Sequence, residues 1–374
     1  MTPPPPRALS TAKKLLFTLI SCSILLVTGE GVARVMDKIA TTNTTEPGQD
    51  LPPHETRIWG LREGTQTAFD ATFDVGANGL RVVADTGAPL RALTLGDSSI
   101  FGHGLADDGT LHASLRRSLA EAGLDVDVFD GGIPGYSSEQ SRVLLEEVGW
   151  DLRPNLLVIG NLWSDTGARG FQDREWIAEL HSPGFNVQWL LRKSVLWAMI
   201  GTKIKQIAAG ETGDEVPTAM PGGSLPVTWV KDPNQKGVRR VPIEQYAENL
   251  DWMLQQASAR GIGAVFISPC NRILAAMTED RETSWGVYFH TMKAVAERRG
   301  VPIVHGCDAA AEGGLLEDAG FLDEMHPTAA LNAAYAERLT RALHIRRWPE
   351  NPLVPNGDLP PWSEPIIDDW KLDD

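Results

Sequence analysis

From residue 90 onward, apolar runs and amphipathic stretches alternate along the chain. "RALTL" (91–95) predicts a short buried strand. "TLHASLRRSLAEAG" then sets Leu111, Leu115, Leu119 and Ala122 at helical spacing, with Thr110 as N-cap and Gly123 as stop. "DVDVFDGG" predicts a strand, "SEQSRVLLEEVGW" a helix opened by Ser137 or Ser138, and "NLLVIGN" another buried strand. "PIEQYAENLDWMLQQASARG" predicts an amphipathic helix that feeds the strand "AVFIS". A helix near Val287 to Arg298 leads to "VPIVH", and "TAALNAAYAERLTRALHI" predicts the last helix. Strands alternating with helices of this length imply an α/β fold: a parallel sheet with helices on both faces, three layers deep. The chain shows no internal repeat.

Three regions fall outside this rhythm. "RALSTAKKLLFTLISCSILLVTGEGVARVMDK" puts Arg7, Lys13 and Lys14 ahead of an apolar stretch, the form of a signal peptide or signal anchor. With no small-x-small cleavage site before Glu30, an uncleaved anchor over residues 1–38 is expected. Lipidation at Cys22 in "LISC" ranks second, because the apolar run continues past it. A Thr- and Pro-rich flexible linker is expected over 39–57, and "TAFDATFDVGANGLRV" predicts a small β element within 58–90. The main domain then spans 91–345, with a tail over 346–374. It is interrupted by an insertion over 166–240 that carries Trp176, Trp189, Trp197 and Trp229 and is expected to cap the sheet. Within it, "VQWLLRKSVLWAMIG" predicts a helix and "GDEVPTAMPGGSLP" a loop. The cap tryptophans could stack on a sugar or an acyl chain, but most are expected to pack the cap onto the sheet; the acidic tail reads as a solvated end that Trp362 and Trp370 could pin.

Composition narrows the function classes. Of 374 residues, 42% are apolar and 22% charged, which is the balance of a globular chain. The net charge of −15, with no basic stripe, excludes nucleic acid as a partner. No His-Glu-x-x-His, Cys-x-x-Cys, Gly-x-Gly-x-x-Gly or Walker motif is present, so no metal or cofactor is expected. Three cysteines cannot form a disulfide scaffold. Cys270 and Cys307 each follow an apolar run, and either a disulfide or two free thiols fits that placement.

Two segments carry candidate chemistry. "LTLGDSSIFGHGL" ends a strand in Gly-Asp-Ser-Ser, which would put Ser98 at the carboxyl end of the sheet, where open α/β folds bind ligands. A capped turn is the default reading of that tripeptide alone. A serine nucleophile needs a base within hydrogen-bond reach. "GFLDEMHPTAALN" supplies one: Asp323 and His326, three apart in a loop before the last helix, can share one turn. The carboxylate would then orient the imidazole toward the serine. His103 and His305 also follow strand ends, where they could line the crevice; the preferred reading is solvent-facing loop histidines.

Together these blocks resemble the SGNH (GDSL-type) hydrolases over about residues 90–345. "LGDSSIFGHG" is similar to the nucleophile block and matches Ser98; "LDEMHP" is similar to the last block and matches Asp323 and His326. "DGGIPGYSS" stands at the second block and assigns an oxyanion N–H to Gly132, beside that of Ser98. "RPNLLVIGNLWSD" stands at the third, which in the family ends in Gly-x-Asn-Asp. By spacing the asparagine's place falls on Ser164, with Asn161 as the alternative donor.

The resemblance implies a flavodoxin-like sheet and a serine esterase with a Ser-His-Asp triad. It also implies an acylated small molecule, glycan or lipid as substrate, on the outer side of a bacterial membrane. An O-acyltransferase with the same triad and a catalytically silent envelope-binding protein are the alternatives.

Overall fold

The computed structural model describes residues 10–43, 51–68, 71–169, 172–181, 194, 196–197, 200, 238–272, 284–360 and 362. Trp189, Trp229, Trp370, the loop "GDEVPTAMPGGSLP" and most of the helix expected in "VQWLLRKSVLWAMIG" lie outside the described residues. The chain divides into two compact units, residues 1–47 with 184–219, and residues 48–183 with 220–374. The insertion expected over 166–240 is therefore shared between both units.

In the first unit a helix runs over Thr11–Asn43, past the expected end of the anchor at residue 38. Its stretch Thr11–Met36 is 26 residues long and holds an 18-residue window with a mean hydropathy of 1.9, long and apolar enough to cross a membrane. Glu30 interrupts that apolar run and does not stand alone. Its carboxylate accepts hydrogen bonds from Arg34 Nε (2.8 Å), Ser194 Oγ (2.6 Å) and the Leu196 N–H (3.1 Å).

The second unit opens with two small antiparallel pairs, β1 (Pro53–His54) with β2 (Ile58–Trp59), and β3 (Gly64–Ala68) with β4 (Ala71–Val75). The first pair lies partly inside the expected linker. Burial of Ile58 and Trp59, and an ion pair from buried Arg57 to Glu147, tie it to the domain. The second pair is the β element expected in 58–90, and β4 alternates buried and exposed positions as a half-covered strand does.

The central sheet follows: β5 (Leu90–Gly96), β6 (Val126–Gly132) and β7 (Leu156–Ile159). A short antiparallel pair, β8 (Ala168–Arg169) with β9 (Val238–Arg239), precedes its last strands, β10 (Gly263–Ser268) and β11 (Ile303–His305). All five sheet strands are parallel, in the order β11-β10-β7-β5-β6. Counted along the chain, that is the 2-1-3-4-5 order of flavodoxin-like sheets. Strands β6, β7 and β10 are buried at every position, as expected for parallel strands covered on both faces.

Helix Leu111–Glu121 packs with helix Ala329–Ile345, while helix Ile243–Ala259 packs with Ser138–Glu147 and Ser284–Arg299. With the right-handed crossovers that parallel connections follow, this strand order puts the two groups on opposite faces of the sheet. Capping agrees with the chain's own signals. Thr110 accepts from the Ala113 N–H, and Ser137 forms a reciprocal capping box with Gln140. Gly123 has φ +84° beyond the first of these helices, a left-handed stop that favours glycine. Cys270 and Cys307 form a disulfide that ties the end of β10 to the helix after β11. Trp362 meets the domain through its N–H, which donates to Asp251 Oδ2 at 3.0 Å.

Candidate active site

The turn after β5 is built by its aspartate. Asp97 caps the four-residue helix Ser98–Phe101, with Oδ1 accepting from the Ser99 N–H at 3.0 Å. Capping therefore falls to Asp97, not to the serine, and the Ser98 hydroxyl is left for other partners. Asp97 is fully buried, and its second oxygen accepts from Ser164 N–H (3.1 Å) and Ser164 Oγ (3.3 Å). Burial pushes the Asp97 carboxyl upward against the pull of these donors. One buried carboxyl thus joins the turn after β5 to the loop after β7.

Three glycines let the short helix sit on the strand ends. A Cβ on Gly96 would come within 2.4 Å of Ile100 Cγ1, one on Gly160 within 2.4 Å of Ile100 Cδ1, and one on Gly132 within 2.6 Å of the Phe101 nitrogen. The demand for glycine is strictest at Gly132, where the contact is with backbone, while at Gly96 and Gly160 it is the Ile100 side chain that would have to move.

The histidine arrives from far along the chain. Its loop is closed by hydrogen bonds from the Leu322 N–H to the His326 carbonyl (2.8 Å) and from the Thr328 N–H to the Gly320 carbonyl (2.9 Å). Thr328 caps the last helix. His326 Nε2 lies 2.8 Å from Ser98 Oγ, and His326 Nδ1 lies 2.6 Å from Asp323 Oδ2. Asp323 Oδ1 accepts from the N–H groups of Met325 and His326, both at 2.8 Å. Burial alone would raise the Asp323 carboxyl. The hydrogen bond and charge of His326, with the two backbone donors, outweigh it and hold the group well below the usual carboxylate range. An ionised Asp323 favours a proton on Nδ1, which leaves Nε2 to accept from the serine. Ser98, His326 and Asp323, chosen from sequence, thus meet in one relay.

The expected oxyanion donors are placed differently. The Gly132 N–H is engaged by Asp130 Oδ1 at 2.9 Å, and the residue serves close packing under the helix of Ser98. Asn161 is fully buried with Nδ2 donating to Ser141 Oγ at 2.8 Å, so its amide is turned to helix Ser138–Glu147. Ser164 directs both its N–H and its hydroxyl to Asp97. The Ser98 N–H, first in its helix, has no intrahelical acceptor.

Sequence reasoning passed over Gly135, which sits at φ +75° in the turn after β6, where glycine is favoured. The Ile133 N–H donates to the Gly96 carbonyl at 3.1 Å, which draws this turn across the end of β5. Arg240 Nη1 donates to the Gly135 carbonyl at 2.7 Å, and the Gly135 N–H finds no acceptor among the described residues. The signal available was a second glycine three residues on in "GGIPG".

The other two histidines do not follow the preferred, solvent-facing reading, and His103 takes the alternative place beside the site. The His103 ring stacks on His326, with centroids 4.3 Å apart and planes 23° from parallel. His305 lies against Phe289 (4.5 Å) and pairs with Asp308 (3.1 Å). No group of His, Cys, Asp and Glu among the described residues is placed to hold a metal ion.

No protein-family model matches this chain, and no curated protein matches it. Solved structures do. One is LAE5, described as an α/β hydrolase enzyme from the metagenome of Lake Arreo, Spain, at 16% identity over 69% of this chain and 96% of that one, TM-score 0.43. Another is Axe2, an acetylxylan esterase from Geobacillus stearothermophilus, at 14% identity over 68% and 94%, TM-score 0.43. A lipase/acylhydrolase from Enterococcus faecalis matches at 12% identity over 69% and 96%, TM-score 0.43. What the site can do is argued below from its own geometry.

Proposed function

We propose that the chain is a serine esterase of the SGNH type, cleaving an acyl ester of a cell-envelope glycan or lipid. The observation that carries this reading is the continuous relay from Ser98 Oγ through His326 to Asp323, at 2.8 and 2.6 Å. Ser98 Oγ attacks the ester carbonyl as its proton passes to His326 Nε2, and Asp323 stabilises the imidazolium that forms. The proton then goes to the departing alcohol oxygen as the ester C–O bond breaks. Water, deprotonated by the same nitrogen, releases the acid and restores Ser98. The oxyanion is met by the Ser98 N–H and by the Gly135 N–H in place of Gly132.

Two features support an envelope setting. The helix over Thr11–Met36 suits a membrane tether, and the Cys270–Cys307 disulfide suits an oxidising compartment. The assembled relay disfavours a silent binding protein.

The test is labelling of the full chain with a fluorophosphonate probe, beside Ser98→Ala. Labelling that disappears in the variant is the expected result, and a folded wild-type chain that takes no label overturns the reading. Incubating the enzyme with an acyl ester and a glycan, and asking whether the acyl group ends on water or on sugar, separates hydrolysis from transfer.

A further inference from the structure

Two hydrogen bonds, one at each nitrogen of the His326 ring, fix where the ring points. They leave it free to swing about the line joining those nitrogens, because both bonds survive that motion. A contact on the ring face opposes it. His103 supplies that contact, with centroids 4.3 Å apart and planes inclined by 23°.

His103 is itself fixed to the nucleophile. Its N–H donates to the Ser98 carbonyl at 3.2 Å, closing the turn that carries the serine. Its neighbours Gly102 (φ +81°) and Gly104 (φ +73°) adopt left-handed backbone, which bends the chain tightly around it. The two stacked rings come from segments more than 200 residues apart. The face-to-face contact therefore joins the loop of the base to the turn of the nucleophile.

We propose that His103 is a positioning residue for His326, an aromatic plate that holds the catalytic imidazole in line with Ser98 and faces the imidazolium as it forms. This rests on the esterase reading above. Burial, and then the charge of His326, push the His103 imidazole down to about 3, so it stays neutral at working pH. A neutral ring adds no like charge beside the imidazolium, and its face is the attractive side for a cation. His103 takes no proton in the reaction.

The experiment compares the full-length wild type with His103→Ala, His103→Phe, His103→Gln and Ser98→Ala, using p-nitrophenyl acetate turnover, fluorophosphonate labelling and thermal melting. His103→Ala is expected to lower kcat by about tenfold with KM little changed. His103→Phe is expected to stay within about threefold of wild type, and His103→Gln, polar but not aromatic, to fall with the alanine variant. Unchanged kcat in His103→Ala, a rise confined to KM, or Gln serving as well as Phe overturns the proposal. If His103→Ala fails to fold, the comparison of Phe with Gln decides it. Activity that survives in Ser98→Ala removes the esterase reading itself, whereas activity lost there but unaffected by every His103 change removes only the positioning role.

Discussion

Two aspartates buried from water are satisfied to different degrees. Asp97 accepts hydrogen bonds on both oxygens. Asp165 takes the Ser138 N–H and hydroxyl on Oδ1, while Oδ2 has no partner among the described residues. Burial, only partly offset by Ser138, pushes the Asp165 carboxyl from 3.8 to about 8. Across that window the folded state holds a proton that the unfolded chain has released, so the group's contribution to stability declines as pH rises from about 4 to about 8. Asp165→Asn keeps an acceptor for Ser138 and cannot titrate. Its stability relative to wild type should rise between pH 5 and pH 8 in urea unfolding, and an equal difference at both pH values would contradict this. Asp323 lies at the other extreme, ionised throughout the working range. Asp323→Asn should lower kcat on the order of 10³- to 10⁴-fold with little change in KM, by allowing the wrong imidazole tautomer. Steady-state kinetics on a simple ester decide it, and a loss carried by KM would contradict the orienting role.

Among the elements, the short helix Ser98–Phe101 is the one on which the proposed function turns. It is too short to be stable by itself. Its place is set by Asp97 at its start, Gly102 at its end and the glycine bed of β5, β6 and the residue after β7. Gly132→Ala would drive a methyl group to 2.6 Å from the Phe101 nitrogen, with backbone on both sides of the contact. The helix must shift, at a cost of about 1–3 kcal/mol, and Ser98 with it. A lower melting temperature and slower probe labelling are the expected pair of results; a variant that melts and labels like wild type would show that the approach is not tight. The helices Leu111–Glu121 and Ser138–Glu147 needed no such tertiary support to be legible, because Thr110 and Ser137 carry ordinary capping signals. The expected linker was less legible. "PPHETRIW" has no period of its own, and β1 and β2 form because Ile58, Trp59 and Arg57 find partners elsewhere in the domain.

At the scale of the whole molecule, β5 lies inside the sheet and β11 at its edge, and the order 2-1-3-4-5 brings the turn after β5 and the loop after β11 to the same, carboxyl end. The helix over Thr11–Met36 carries a prediction at this scale. The full chain should sediment with membranes and resist alkaline carbonate, and a form lacking residues 1–38 should not; carbonate-soluble full chain would contradict a spanning anchor.

Sequence alone was enough for the parallel α/β sheet, most helix starts, the apolar N-terminal helix and the choice of Ser98, Asp323 and His326 as candidates. These follow from local periodicity, local capping chemistry and short motifs. Tertiary structure alone decided that Asp97 and not Ser98 caps the turn, and that Gly132 serves packing. It also decided that Asn161 and Ser164 are bound elsewhere, that Cys270 and Cys307 are joined, and that His103 lies on His326. The bonds of Asn161 and Ser164, the disulfide and the ring stack depend on which distant group takes a given donor, thiol or ring face, whereas the Asp97 cap and the Asp130–Gly132 bond are local contacts made only once the strand ends are packed. A one-dimensional pattern does not encode that choice; the packing of strand ends against one another does.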